Sequence, residues 1–391
     1  MRRIESFSHQ SLFVKLLAFY FVCLVLGVLN IGPIGSLLKV IAFLPAFWWL
    51  CSKHTVCPNR VLMSAFSFLV FAVLSVFWSV KTSSTLVSVV GAVSLLFLLI
   101  AASAYSYSEQ NLLFLKKALV WSSRITALVI LVVGEHRAAR LTLGGLLTED
   151  PNYLCAYYLF GIVYAVQCML SSKKHAHRFV GLVEFGVYAS LVLASGSRGG
   201  TLAAVVAVGG AAVGCLLQNR ISIKTVLLPL LLISAIFVTY LLAPYVLPQS
   251  VSERFQLQEI IDSQGTGRYR IWKDYLHIFA NSSFWRQLIG YGNSVLVDLA
   301  QQQRLVTFHV AHNMFIEHLI GLGVVGLLLY LNMLWQFMRV TFRQKNIFAL
   351  AVLGGLITLM LSTSFNGKAY WNILIYIICL TRSSLPMEHR K

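Results

Sequence analysis

Apolar runs of about 17 to 25 residues, each long enough to cross the hydrocarbon of a bilayer as a helix, recur along almost the whole chain. They fall near 12–30, 33–51, 60–80, 84–105, 112–134, 151–170, 178–195, 199–217, 224–247, 312–338, 346–363 and 369–381. With 58% hydrophobic residues, 11% charged residues and a mean hydropathy of +0.78, the composition excludes a soluble globular domain. The expectation is an all-α integral membrane protein of about 12 transmembrane helices. Arg2 and Arg3 precede the first run as they would a signal peptide, but no small-residue cleavage site follows between Asn30 and Ser36. The run therefore reads as a retained anchor.

The formal net charge of +18 suggests nucleic acid by its sum and membrane topology by its distribution. With both termini cytoplasmic, Arg2, Arg3, Lys53, Arg60, Lys116, Lys117, Lys173, Lys174, Arg220, Arg339, Arg343 and Lys345 share that side. The short opposite loops near 31, 81 and 364–368 are nearly bare of positive charge. The asymmetry fixes the orientation, predicts no nucleic-acid partner, and makes an arginine on the outer side a departure from the rule. None of the seven cysteines lies in the large outer loop, which predicts no structural disulfide, and Cys51 with Cys57 lacks the second pair that a zinc site needs.

Residues 248–311 form the only long polar segment, dividing the chain into 1–247, 248–311 and 312–391. A loop of that length among short connections points to function. Ile271, Trp272, Tyr275, Leu276 and Phe279 recur in it at helical spacing, predicting a helix near 267–280 that lies along the interface with its aromatic side in lipid. Gly265 and Gly267 mark its start. A second outer loop, 135–150, holds Glu135, His136, Arg137, Arg140, Glu149 and Asp150 and ends at Pro151, which suits a first helical turn.

Three outer features are candidates for chemistry. Arg198 follows Ser195, Gly196 and Ser197 in a tight turn, with Leu202 four residues on, and reads either as a lipid-headgroup anchor or as a ligand for an anion. Arg268 and Arg270, with Lys273, start the loop helix, where guanidinium groups and a helix N-terminus suit a phosphate, or else form a solvated face. His312 and Asn313 open an apolar helix, and nine residues later come Gly323, Val324, Val325 and Gly326. Eleven residues on an α-helix close to within about 20° of whole turns, so His312 and Gly323 are expected on one face, the glycines admitting a close neighbour. An imidazole, with an unperturbed pKa near 6.5, can take a proton from a hydroxyl at neutral pH. His309 and His312 have ligand-like spacing, but no third ligand accompanies them, so no metal is expected. Asp150 and Asn152 either line the same outer cavity or cap a helix, and Arg124 and Glu184, costly in a membrane unless paired, are expected to pair.

On these residues the chain resembles the bacterial O-antigen ligase and polymerase group, membrane glycosyltransferases that take sugar chains from undecaprenyl diphosphate. The likeness rests on His312-Asn313, the nine-residue gap and Gly323-Val324-Val325-Gly326, on the Arg198-to-Leu202 spacing, and on Arg268 in the long loop. The resemblance implies one large periplasmic loop between the ninth and tenth helices, capping a cavity open to periplasm and membrane. It also implies metal-independent glycosyl transfer with inversion and no cofactor. In that scheme Arg198, Arg268 and Arg270 bind the donor diphosphate and His312 activates the acceptor hydroxyl, while Asn313 and Lys273 join Asp150 and Asn152 along the cavity. The resemblance favours a ligase of lipopolysaccharide biosynthesis in the inner membrane, with lipid A-core as acceptor, over an O-antigen or capsule polymerase. A transporter, for which about a dozen helices would also be typical, needs an intramembrane carboxylate, and Glu184 is the one clear candidate.

Overall fold

A computed structural model of the chain describes residues 5–23, 34–52, 54–137, 140–142, 151–218, 267–303, 310–363 and 368–383. Its long helices are α1 (Glu5–Val22), α2 (Ile34–Leu50), α3 (Arg60–Leu74), α4 (Thr82–Ala104), α5 (Glu109–Val133), α6 (Pro151–Ser171), α7 (His175–Ala194) and α8 (Arg198–Gln218). The described part of the large loop holds three short helices, α9 (Arg268–Ala280), α10 (Phe284–Ile289) and α11 (Leu296–Gln302). Then follow α12 (Met314–Arg343), α13 (Ile347–Met360) and α14 (Lys368–Thr381). Every apolar run expected from the sequence overlaps a described helix except 224–247, which lies outside the described residues. Among the described residues, six helices are long and apolar enough to cross a membrane: Arg60–Trp78, where a 3-10 turn extends α3, then α4, α6, α7, α8 and α12. The architecture is all-α, with one small addition. Glu135–Arg137 and Arg140–Thr142 pair as a small antiparallel hairpin, β1–β2.

The core forms around α6, which is apolar on every side and buried from Leu154 to Val166 apart from Tyr164. It packs against α5, α7, α8 and α13. The tightest seam is between α8 and α13, which run antiparallel and meet through small residues. A Cβ on Gly214 would strike the Ile347 side chain, one on Gly355 would lie 2.9 Å from the Ala203 carbonyl, and one on Gly199 would strike Ser362. Such residues bring two backbones close enough for extensive dispersion contact, which substitutes for a hydrophobic driving force that lipid does not supply. Gln218 Nε2 closes the far end on the Lys345 carbonyl at 2.7 Å.

The expected span over 312–338 is not one helix. The rings of His318 and Tyr330 lie 4.4 Å apart and those of Phe315 and Tyr330 6.1 Å apart. Twelve residues of straight α-helix would separate His318 from Tyr330 by about 18 Å. Gly323, at φ 68° and ψ −171°, breaks the helix. The chain reverses there, so that Met314–Leu322 folds back along Val324–Arg343. Length and composition alone make α12 a single 30-residue span, but the ring contacts overrule that reading. Val324–Arg343 alone, at about 30 Å, suffices to cross, and Met314–Leu322 is a short re-entrant limb.

Candidate functional site

The re-entrant limb begins with a cap. Asn313, extended at φ −152°, accepts hydrogen bonds from Phe315 N at 3.0 Å and Ile316 N at 3.2 Å, occupying two amide groups that a helix N-terminus leaves unmatched. His312 precedes the cap and has φ 49°. A left-handed conformation is costly for a side chain with a Cβ and persists only where its surroundings hold it. The expectation that His312 and Gly323 share a helix face therefore fails twice, because His312 lies outside the helix and Gly323 ends it. What the spacing measures instead is the length of the limb, with His312 at its start and the reversal at its tip.

Backbone hydrogen bonds hold the tip. Tyr291 N donates to the Ile320 carbonyl at 3.1 Å and Gly292 N to the Gly321 carbonyl at 2.8 Å, satisfying carbonyl groups at the limb's C-terminal end. The approach requires Gly290, where a Cβ would meet the Gly321 carbonyl and the Gly323 amide. This loop is in turn clamped to the turn between α3 and α4. Trp78 Nε1 donates to the Ile289 carbonyl at 2.9 Å, Arg286 to the Trp78 carbonyl at 2.8 Å, and Val80 N to the Tyr291 carbonyl at 2.9 Å. Arg286, in the polar segment between α8 and α12, thus has a structural role.

Helix α9 runs beside the limb in the same direction. Near its start Trp272 Nε1 donates to the Ala311 carbonyl at 2.8 Å, and near its end Ile278 and Phe279 pack in the cluster that holds Ile320. Its helical span matches the sequence expectation almost to the residue, but its apolar side packs in part on protein, with Leu276 exposed. Ile271 and Tyr275 are buried against Leu296, Leu299, Ala311 and Ile320, because the limb offers an apolar face there. Burial, with help from the Glu317 and Asp274 carboxylates, raises the Tyr275 phenol above its usual range, so it stays protonated and donates to the Leu296 carbonyl at 3.1 Å.

The cationic residues of α9 divide between its faces. Arg268 is half-buried and shares a stripe with Trp272 and Tyr275, at the end of α9 nearest His312. Arg270 and Lys273 are exposed on the opposite stripe, which is the solvated face, away from Trp272 and Ala311.

Arg198 occupies the first position of α8. Ser195 closes α7, Gly196 turns at φ 60°, and Ser197 Oγ accepts from Gly200 N at 2.9 Å as the cap of α8. The half-buried guanidinium therefore adds to the positive end of a helix dipole. Asn152 is the second residue of α6. Its side chain accepts from Ser197 Oγ and donates to the Ser362 carbonyl at 3.4 Å, which ties the Arg198 turn to α6 and to the end of α13. Leu202 is exposed and takes no part in the turn.

One chain of contacts links the two halves of the site. Ser362, beside the Arg198 turn, is two residues past Met360, whose sulfur accepts from Tyr330 Oη at 3.0 Å. Tyr330 packs on Phe315, two residues past Asn313. The fold-back thus carries the start of the limb down to the level of α13's end, where α8 also begins. The sequence reading passed over Ser362, Tyr330 and the Gly290–Gly292 loop, for which the paired glycines around Tyr291 were the available signal. Asp150 and His309 lie outside the described residues. Among those described, no three His, Cys, Asp or Glu side chains are grouped as metal ligands would be. Arg124 and Glu184 do pair, at 2.7 Å, with the guanidinium also over the Trp121 ring.

Residues 185–331 match the family model described as O-antigen ligase, a stretch that contains Arg198, Arg268, His312 and both limbs around Gly323. No curated protein matches the chain.

Proposed function

We propose, for a chain that carries an O-antigen ligase domain across residues 185–331, that it transfers O-antigen polysaccharide from undecaprenyl diphosphate to lipid A-core oligosaccharide. The domain supports a membrane glycosyltransferase of the ligase or polymerase type and lipid-linked polysaccharide substrates. The finer reading sets the reaction at the periplasmic face of the inner membrane, in a bundle of about twelve crossings. The observation that carries it is the hydrogen bond from Trp272 to the Ala311 carbonyl, which draws the α9 end bearing Arg268 towards His312.

In this reading Arg268 and Arg198 hold the donor diphosphate by charge-assisted hydrogen bonds, the latter with the α8 N-terminus behind it. The acceptor hydroxyl attacks the anomeric carbon from the side opposite the diphosphate and passes its proton to the His312 imidazole. A bond forms between acceptor oxygen and anomeric carbon as the carbon–phosphate oxygen bond breaks, inverting the centre. Negative charge grows on the departing diphosphate, where fixed guanidinium groups stabilise it in place of a divalent cation. Arg270 and Lys273, on the outer stripe of α9, attract the anionic lipid donor without touching the reacting atoms.

Purified protein in liposomes is supplied with undecaprenyl diphosphate-linked glycan, with and without lipid A-core, in the presence of a chelator, and His312→Ala serves as control. Glycan on lipid A-core, lost in the variant, is the expected result. Longer lipid-linked chains made without that acceptor would make the protein a polymerase, and no transfer under any condition would remove the reading.

A further inference from the structure

At the opposite end of Val324–Arg343, about 30 Å of helix from the reversal at Gly323, a cleft of ≈ 470 Å³ opens between α3, α12 and α14. Arg60, Arg339 and Arg343 line it, with Asn59, Gln336 and Thr381. No carboxylate is among the lining residues, and the three arginines make no ion pair among the described residues. Asn59 caps α3 through the Leu62 amide and donates to Thr381 Oγ1 at 3.1 Å, so the N-terminal end of α3 points its dipole at the same space. Three uncompensated guanidinium groups around a helix N-terminus form a site for a multiply hydrogen-bonded anion.

The surroundings say which anion. Trp335 and Phe342, on the same helix as Arg339 and Arg343, are 64% and 73% exposed, so large apolar surface flanks the charged cleft. This is also the end of the bundle that the charge asymmetry assigns to the cytoplasm. A soluble phosphate would use the arginines and leave that surface idle. A phospholipid would use both, its phosphate in the cleft and its acyl chains along Phe342 and Trp335.

We propose that this cleft binds the phosphate of an anionic membrane phospholipid, away from the transfer site and independently of the reaction carried out there. Basic recesses between transmembrane helices on the cytoplasmic side recognise anionic headgroups by this combination.

Native mass spectrometry of the full chain with dioctanoyl phosphatidylglycerol, dioctanoyl phosphatidylcholine or inorganic phosphate tests it. Retained phosphatidylglycerol adducts are expected, with neither phosphatidylcholine nor inorganic phosphate retained comparably. Arg60→Gln, Arg339→Gln and Arg343→Gln are each expected to weaken retention about fivefold, and the single variants serve if the triple one does not fold. Lys173→Gln with Lys174→Gln, elsewhere on the same side, is expected to leave retention unchanged. Equal retention of phosphatidylcholine, undiminished binding in the arginine variants, or an equal loss in the lysine pair would overturn the proposal. Phosphate held as tightly as the lipid would make the cleft a soluble-anion site and overturn it too.

Discussion

His318 and Tyr330 face each other with ring centroids 4.4 Å apart, although twelve residues separate them along what the hydropathy presents as one span. The contact exists because Gly323 adopts φ 68°. Gly323→Ala places a Cβ in a left-handed residue and 2.6 Å from the Gly290 amide. With ψ at −171°, a backbone region that is essentially glycine's own, the conformation alone costs about 1–3 kcal/mol, and the clash adds to it. A clear fall in thermal stability and loss of glycan transfer are expected. Cysteines at 318 and 330 in a background free of other cysteines are expected to cross-link with a short bifunctional reagent, which a straight helix forbids.

Trp272→Phe keeps the bulk of the side chain and removes the donor to the Ala311 carbonyl. If that bond sets the backbone that presents His312, kcat falls about tenfold, equivalent to about 1.4 kcal/mol of transition-state stabilisation, while stability falls by about 1 kcal/mol. An unchanged kcat would separate α9 from the His312 turn.

Asn313 distinguishes capping from substrate contact. Asn313→Asp keeps the oxygen that accepts from Phe315 and Ile316 and is expected to retain transfer, whereas Asn313→Ala loses about 1 kcal/mol of stability. Equal loss of activity in both, with stability intact, would mean that the amide nitrogen touches the substrate.

Glu184→Gln separates the enzyme from a transporter. The pair with Arg124 is about three-quarters buried, so breaking it is expected to cost about 1–3 kcal/mol, between the values for exposed and fully buried pairs. Glycan transfer by the folded variant is expected to survive. Abolished activity here, with His312→Ala still active, would point to transport.

Much of the helical layout was legible because hydropathy length and capping chemistry are local. Pro151 begins α6 as its sequence position implies, and α9 ends where its periodicity ends. The partnership of Arg124 with Glu184 followed from the cost of leaving either charge alone in lipid. The reversal at Gly323 was not legible, because the periodic argument from His312 presumes an unbroken helix. What breaks it is contact with Gly290 and Gly292, some thirty residues earlier in a loop whose fold no periodicity announces. For the same reason the sequence grouped Arg268, Arg270 and Lys273 by proximity, and only the placement of α9 on the limb sorts one arginine from its two neighbours.

The backbone bonds from Tyr291 and Gly292 to Ile320 and Gly321 have a consequence for engineering. They use main-chain atoms, so they are indifferent to most side-chain changes yet demand that both strands of the contact keep their path. The fold of the limb is therefore not portable by grafting the polar loop alone from a related protein. The transplantable cassette runs from Arg268 through Arg343, and a chimera with its junctions outside those limits would inherit an intact limb, where one cut between Gly292 and Ile320 would divide it.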